Sequence, residues 1–337
     1  MDFNHTEERR MLADSLKRSL ARGADWATLA ELGVLGALFT EDEGGFGGHG
    51  FDIAVVFEEL GRAGAEAPVL EAGLAGGLLA DAGRADLVEK IISGELKVTL
   101  AHSEPGLRYD VGPISASAAS GTLSGRKSFV TNAEGADLMV VTALDGAAVS
   151  LFLVDPKAAG VTLHTTPALM GGTISEVTLD RAPAEALGGA ATLEPRLAAA
   201  TLAVCAEGLG AMETAKDMTL DYLRTRKQFG VAIGKFQALQ HRMADVAIEI
   251  EMARSAVINL AGHLGDAGPT RDRHVSATKN LVGRAARLVA EEAIQMHGGI
   301  AMTEEYALAG IARRLIALDH RFGDEDWHLA RFIRLSA

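Results

Sequence analysis

The chain has 337 residues, of which 48% are hydrophobic, so it is long enough to form two or three domains with buried cores. Its formal net charge of −13 at pH 7 argues against non-specific nucleic-acid binding, which requires a positive surface. The single cysteine, Cys205, excludes an intramolecular disulfide and fits a reducing cytoplasm. The charged N-terminus is unlike a signal peptide, and no apolar run of about 18 residues predicts a membrane span. We therefore expect a cytoplasmic protein.

Helical periodicity dominates the N-terminal part of the chain. Within residues 6–22, Leu12, Leu16 and Leu20 recur four positions apart, which is the spacing of one helix face. Further helices are predicted over residues 51–63, 68–82 and 84–92. We therefore predict an N-terminal α-helical domain over residues 1–97.

The composition changes near Val98. From there the chain is rich in Val, Thr, Ser and Gly, and short apolar runs alternate with turn residues, a pattern typical of short β-strands. We predict a small β-barrel or β-sandwich over residues 98–192. Residues 180–195, which contain Pro183 and Pro195, resemble a linker.

Long helical patterns return after residue 193. Three amphipathic segments of about 25 to 30 residues, each spanning about 40 Å as a helix, precede a shorter one. They cover residues 197–224, 236–264, 271–296 and 304–318. We expect them to pack antiparallel as a four-helix bundle over residues 193–337. The predicted fold class is therefore α+β and multidomain, in the order helical domain, β domain, helical bundle.

Four segments carry polar residues or glycines in unusual combinations. They are AHSEPG at 101–106, GRKSFVTNA at 125–133, RTRKQFG at 224–230 and QMHGGI at 295–300. Taken singly, each has an ordinary structural explanation, such as hydroxyls at strand ends or a glycine that stops a helix. Their occurrence together, in this order and at this separation, is specific.

On these four segments, and over nearly its whole length, the chain resembles the acyl-CoA dehydrogenase family. The resemblance implies FAD-dependent α,β-dehydrogenation of an acyl-CoA substrate in lipid or steroid catabolism, with electron-transfer flavoprotein as the electron acceptor. It also implies a tetramer, a dimer of dimers, because family members hold FAD across an interface between chains. We expect no metal site, no nucleic-acid partner and no membrane association.

The resemblance assigns the FAD contacts to two groups of residues. Ser103 and Thr131 match hydroxyl donors to the isoalloxazine ring, and Phe129 matches an aromatic residue beside it. Contacts to the FAD diphosphate from the second chain are matched by five residues: Arg226, Phe229, Gln295, Gly298 and Gly299. A further glutamine that contacts the flavin is matched by Gln237. An arginine and closely approaching backbone suit a group with two negative charges.

The catalytic base of the family has no counterpart at its usual positions. Dehydrogenation requires a carboxylate that removes the α-proton, and this group needs a pKa raised by burial. The two matching positions are Phe322 and Ala200, the latter followed by Thr201, and none of these side chains is a carboxylate. The candidates for a displaced base are Glu325, Asp324 and Glu207. Asp324 and Glu325 are also typical of the start of a helix.

A second departure lies after Gly106. Family members continue from this point to a Gly-Ser-Asp sequence whose serine helps to bind ligand, whereas this chain reads LRYD over residues 107–110. The contacts of this loop to flavin and CoA are therefore in doubt.

Three hypotheses remain open on the sequence. The first is a subunit that lacks the base and acts with a base-bearing partner, as in some bacterial members that act on steroid side-chain thioesters. The second is a self-sufficient homo-oligomeric dehydrogenase with a displaced carboxylate base. The third is a non-enzymatic scaffold that has lost FAD. Retention of all four segments together counts against the third.

Overall fold

The computed structural model describes residues 6–20, 23 and 25–337. In this part of the chain there are ten α-helices. They are α1 (Glu7–Leu20), α2 (Trp26–Glu31), α3 (Gly50–Ala63), α4 (Val69–Asp81), α5 (Ala85–Ile92), α6 (Leu193–Thr225), α7 (Gln237–His263), α8 (Gly268–His297), α9 (Leu308–Asp319) and α10 (Glu325–Ser336). The last two residues of the helix predicted over 6–22 lie outside the described residues.

The chain forms two compact units. One contains α1, Gly50–Ala65 and Thr201–Ala337, and the other contains Asp25–His49 and Glu66–Ala200. Each unit thus collects segments from distant parts of the sequence. The domain boundaries after residues 97 and 192 remain predictions.

In the first unit, glycines allow α3 and α6 to approach closely. A Cβ atom added to Gly61 would lie 2.0 Å from the carbonyl oxygen of Glu207, and one added to Gly210 would lie 1.9 Å from that of Glu58. Only glycine fits at either position. By length and composition α6 could cross a membrane, but 83% of its most apolar stretch is buried, as in a core helix.

Helices α7 to α10 complete this unit. The buried ammonium group of Lys279 on α8 donates to the carbonyl oxygens of Asp319 at 2.5 Å and of Gly323 at 2.7 Å, and so fixes the connection between α9 and α10. The four predicted helices of the bundle correspond to α6 to α9. Of α10, the sequence predicts only the N-terminus.

In the second unit, eight strands form one sheet, and two short strands in the first unit form a hairpin. The eight are β1 (Val98–Ala101), β2 (Ser117–Ala119), β3 (Thr122–Thr131), β4 (Leu138–Asp145), β5 (Ala148–Val154), β6 (Val161–Pro167), β7 (Thr173–Pro183) and β8 (Glu185–Gly189); the hairpin pairs β9 (Lys227–Gln228) with β10 (Val231–Ala232). The strand order of the sheet is β6-β7-β3-β2-β4-β5-β8, and β1 pairs in parallel with β4. One face packs a core that includes Leu123, Met139 and Phe152.

The predicted linker over residues 180–195 is wrong in most of its length. Strand β7 continues to Pro183, and β8 pairs antiparallel with β5 through Ser150↔Gly189 and Leu153↔Glu185. Helix α6 then begins at Leu193. Because β8 lies at the edge of the sheet, it tolerates the glycines that suggested a loop.

Candidate functional site

The first group of predicted site residues lies in the second unit, where β1 ends beside β3. The backbone N–H of Ser128 donates to the carbonyl oxygen of Ser103 at 2.8 Å, and the hydroxyl of Thr99 donates to that of Thr131 at 2.6 Å. The first bond joins the AHSEPG and GRKSFVTNA segments, and the second joins β1 to the end of GRKSFVTNA. Ser103 and Thr131 are half-buried on the joined segments.

A buried ion pair holds the two segments together. Lys127 Nζ donates to Glu104 Oε1 at 2.7 Å, and the side chains are 0% and 4% exposed. Lys127 Nζ also donates to the His102 carbonyl oxygen at 3.2 Å and to Thr142 Oγ1 at 3.1 Å. The Glu104 carboxylate further accepts the backbone N–H of Ser115 at 2.7 Å. The pair therefore fixes where the loop after β1 lies against β3.

The hydrogen bonds determine the charge of this pair. Burial raises the pKa of Glu104, but hydrogen bonds from Lys127, Ser115 and the Ala116 backbone outweigh it and lower that pKa to about 2. Burial lowers the pKa of Lys127, opposed by the bond to Glu104. Sequence reasoning missed this pair, although both residues lie inside the quoted segments. Glu104 lies in the loop after β1 and Lys127 lies on β3, so their pairing has no local signal in the sequence.

Phe129 has an unusual conformation. Its φ is 55°, the pairing of β3 with β7 shifts register between Lys127 and Val130, and its side chain is 74% exposed. A positive φ is strained for a bulky L-residue, and a bulge turns a side chain away from its usual direction. Strain of this kind concentrates at functional sites. An exposed aromatic residue held in this way fits a flat ring ligand.

The second group of predicted site residues lies in the first unit. Arg226 follows the last residue of α6, is exposed, and has no ion-pair partner among the residues that the structure describes. The hairpin of β9 and β10 comes next. Phe229 at its turn has φ 54° and is 90% exposed, and its ring meets that of Phe236 edge to face at 6.1 Å. An unpaired guanidinium group suits a phosphate ligand.

The glycine pair follows the end of α8. Gly298 has φ 71° and ψ −150°, a region that is essentially restricted to glycine, and its N–H donates to the Ile294 carbonyl oxygen. A Cβ atom on Gly298 or Gly299 would meet no atom within 4 Å. Both glycines thus face open space that a ligand can fill. Gln295, on the last turn of α8, and Gln237, the first residue of α7, are also exposed.

His297 connects these two motifs. Its ring stacks on that of Tyr222 of α6 with 4.4 Å between centroids. Its Nδ1 lies 2.8 Å from the Ala293 carbonyl oxygen, and its Nε2 lies 3.2 Å from the hydroxyl of Tyr306. The stack brings the end of α6, which carries Arg226, against the end of α8, which carries the glycine pair. From the sequence alone, His297 is expected to be structural rather than catalytic.

The usual base positions hold no carboxylate in the structure either. Phe322 lies between α9 and α10 with φ 56°, and its carbonyl oxygen is 3.0 Å from His328 Nε2. Ala200 and Thr201 are buried in α6. Neither position can accept a proton from a substrate carbon.

Each displaced-base candidate has another partner. Asp324 Oδ1 accepts the Trp327 backbone N–H at 2.9 Å and so caps α10, and Glu325 Oε1 lies 2.8 Å from Arg287 Nη1. Glu207 is buried and accepts from Arg314 Nη2 at 2.6 Å.

One further carboxylate near this region escaped sequence reasoning. Asp319 lies three residues before Phe322, at the end of α9, and is buried with Oδ1 3.5 Å from Lys279 Nζ. Its lysine partner is itself buried, so the pair belongs to the interior of the first unit. Among the described residues no cluster of His, Cys, Asp and Glu has the arrangement of a metal site.

Comparison with known families matches three consecutive regions of the chain. The N-terminal domain of acyl-CoA dehydrogenase matches residues 6–95, the middle domain matches residues 99–182, and the C-terminal domain matches residues 188–334. Together these regions cover most of the sequence and include all four motif segments.

Individual proteins match over comparable lengths. The acyl-CoA dehydrogenase FadE28 of Mycobacterium tuberculosis is 33% identical, covering 91% of each chain. A variant of the Tcur3481-Tcur3483 steroid ACAD has a TM-score of 0.89 at 28% identity, covering 98% of each chain. The ChsE4-ChsE5 complex of Mycobacterium tuberculosis has a TM-score of 0.88 at 25% identity, covering 99% of this chain and 98% of its own. The last two are named as pairs of proteins.

Proposed function

The chain belongs to the acyl-CoA dehydrogenase family, and from this premise we propose that it is the FAD-binding subunit of a heteromeric acyl-CoA dehydrogenase whose partner subunit carries the catalytic base. The substrate class is an acyl-CoA thioester of lipid or steroid catabolism. The electron acceptor is electron-transfer flavoprotein, and the site of action is the cytoplasm.

One observation carries the proposal. The residues matched to FAD diphosphate contacts are intact and exposed, with an unpaired Arg226 and open space at Gly298 and Gly299, whereas the base positions hold Phe322 and Ala200. A chain that had lost FAD has no need for a strained, exposed Phe129 or a glycine pair facing open space. A chain that worked alone would need a carboxylate in reach of the substrate.

The residues of this chain fit FAD by their chemistry. When bound, FAD accepts the hydride that leaves the β-carbon of the acyl group. Ser103 and Thr131 supply hydroxyl donors to the edge of its ring, and Phe129 supplies an aromatic face. On an FAD whose ring is held by a neighbouring chain, Arg226 neutralises charge on the diphosphate, and Gly298 and Gly299 let the backbone approach it closely.

The partner subunit completes the reaction. A carboxylate of that subunit removes the α-proton as the hydride leaves, because Phe322 and the buried Ala200 cannot do so. Two solved relatives support an assembly of two different chains, since the Tcur3481-Tcur3483 steroid ACAD and the ChsE4-ChsE5 complex are named as pairs. The exposed ring of Phe229 lies against that of Phe236, which is also exposed, and this pair gives the hairpin an apolar surface that supports an interface with another chain.

The test compares the purified chain alone with the chain co-purified with an acyl-CoA dehydrogenase-like partner. Flavin absorption and acyl-CoA turnover are measured in both. We expect bound flavin and turnover only in the complex, and loss of turnover when the partner's base is changed from Glu to Gln.

Two other outcomes would contradict the proposal. Full turnover by the chain alone would mean that it is self-sufficient, and Glu207→Gln, Asp324→Asn and Glu325→Gln would then identify the displaced base. Absence of flavin in both preparations would mean that the chain is a scaffold.

A further inference from the structure

His297 occupies a connecting position that neither the proton transfer nor the hydride transfer explains. It is the last residue of α8, directly before Gly298, and its ring lies between Tyr222 of α6 and Tyr306 of the following loop. The Tyr222 and His297 rings are stacked at an interplanar angle of 27°. Tyr222 lies one helical turn before Arg226, whose backbone N–H donates to the Tyr222 carbonyl oxygen at 2.8 Å.

The hydrogen bonds define the protonation of the ring. The Ala293 carbonyl oxygen can only accept, so Nδ1 of His297 carries a hydrogen and donates it. Burial lowers the pKa of His297 despite that bond, which favours the neutral ring. Nε2 of the neutral ring then accepts from the hydroxyl of Tyr306. The ring is thus held by the stack on Tyr222, by the hydrogen bond that it donates to Ala293 and by the hydrogen bond that it accepts from Tyr306.

We propose that His297 is a positioning residue that fixes Arg226 and the Gly298-Gly299 turn relative to each other, so that both address one diphosphate group. The stack on Tyr222 sets the distance between the two helix ends, and the bonds to Ala293 and Tyr306 fix the rotation of the ring. Because His297 and Gly298 are consecutive, any rotation of the His297 backbone redirects the turn. This inference rests on the proposed binding of FAD.

Two variants test the role. Tyr306→Phe removes only the hydroxyl that donates to Nε2, and His297→Phe keeps a stacking ring but removes both hydrogen bonds. His164→Ala, which changes an exposed histidine on β6, is the control. The dissociation constant for FAD, the visible spectrum of bound flavin and the melting temperature of the flavin-free protein are measured in the FAD-binding assembly.

We expect Tyr306→Phe to weaken FAD binding about three- to tenfold, the effect of one neutral hydrogen bond, and His297→Phe to weaken it more. The spectrum should not change, because the residues matched to the flavin ring, Ser103, Phe129 and Thr131, take no part in the contacts of His297. The melting temperature of Tyr306→Phe should match that of the control.

The inference would be overturned if both variants bound FAD as tightly as the unchanged protein does. It would also be overturned if affinity, spectrum and melting temperature all shifted together, which is the signature of general loosening. The failure of the proposed function looks different, since the unchanged protein would then bind no FAD with or without a partner.

Discussion

The two groups of site residues are held in place by different forces. Around Ser103 and Thr131, a buried ion pair between Glu104 and Lys127 ties two segments of the second unit together. Around Arg226 and Gly298, the connection is a neutral histidine ring that stacks and accepts a hydrogen bond, and the ligand-facing residues are exposed. The region proposed to bind the flavin ring is therefore fixed by a buried ion pair, whereas the region proposed to bind the diphosphate leaves its candidate contact residues exposed.

Removing the carboxylate of the buried pair should have the largest effect. Glu104→Gln leaves the Lys127 ammonium group buried without a counter-charge, and we expect the free energy of unfolding to fall by about 3–5 kcal/mol. Denaturant unfolding followed by circular dichroism measures this. The matched control is Glu185→Gln, which breaks the exposed ion pair with Arg84 and should cost less than about 1 kcal/mol. Equal losses would show that the pair is not the main support of the region.

The second-largest effect should be a loss of stability of the same region in acid. The pKa of Glu104 falls from 4.5 in the unfolded chain to about 2 in the folded protein, so its contribution is complete above pH 4.5 and is lost as the pH falls through about 2. The loss is on the order of 3 kcal/mol. Burial also lowers the pKa of His102 from 6.5 to about 4, so the unfolded chain takes up this proton first and the folded protein loses stability as the pH falls from 6.5 to about 4.

The acid effect of the pair can be isolated. Melting temperatures of the unchanged protein and of the double variant Glu104→Gln/Lys127→Met are compared from pH 6 down to about 2, the lowered pKa of Glu104. The double variant removes both charges and should lack the loss below pH 4.5. The same acid sensitivity in both proteins would assign it to other groups.

Arg226→Ala should change ligand binding at the exposed region around Arg226 and Gly298 and leave the region held by the Glu104–Lys127 pair unchanged. We expect FAD to bind about 10- to 100-fold more weakly, because a charge-assisted contact to phosphate is lost, while stability is unchanged. Arg224→Ala is the control, since Arg224 lies on the same helix end but faces Asp221 at 3.6 Å. Titration with FAD measures both. Equal weakening by the two changes would point to a general loss of positive charge.

Phe129→Gly should have the smallest of these effects, and it should stabilise the protein. Glycine adopts φ 55° without strain, and the Phe129 side chain is 74% exposed, so little packing is lost. We expect the free energy of unfolding of the flavin-free protein to rise by about 0.5 kcal/mol. This is the strain that is relieved, reduced by the extra conformational entropy that glycine gives to the unfolded chain.

The same variant should bind FAD more weakly, because the aromatic face is missing. Phe129→Leu, which keeps the strain, serves as the control for stability. A loss of stability in Phe129→Gly would mean that the ring packs usefully within the chain.

The sequence predicts helices and strands where periodicity is long and regular. Residues 51–63 were expected to be helical, and α3 spans Gly50–Ala63. The predicted fold class, with a helical domain, a β domain and a helical bundle in that order, is confirmed by the family matches. Strand β8 escaped prediction because its pairing with β5 is a tertiary interaction and its glycines suggest a loop. Helix α10 was predicted only at its cap, Asp324, although residues 325–336 are about as amphipathic as α9.

The site could be predicted only in part. The motifs identify Arg226, Phe229 and the glycine pair, and the structure brings the end of α6 and the end of α8 together through His297. The Glu104–Lys127 pair and the positive φ of Phe129 have no periodic signature, because both arise from contacts between segments far apart in sequence. The assigned FAD contacts themselves stay predictions until the titrations are done.

The backbone at Phe322 has an evolutionary consequence. This residue keeps φ 56°, its carbonyl group keeps a partner in His328, and the turn is anchored by Lys279. These contacts are made by backbone carbonyl oxygens, so they do not depend on the Phe322 side chain. If the family's base stands at this position, as the resemblance implies, two genes that differ at this codon would encode a base-bearing chain and a chain without the base on the same backbone.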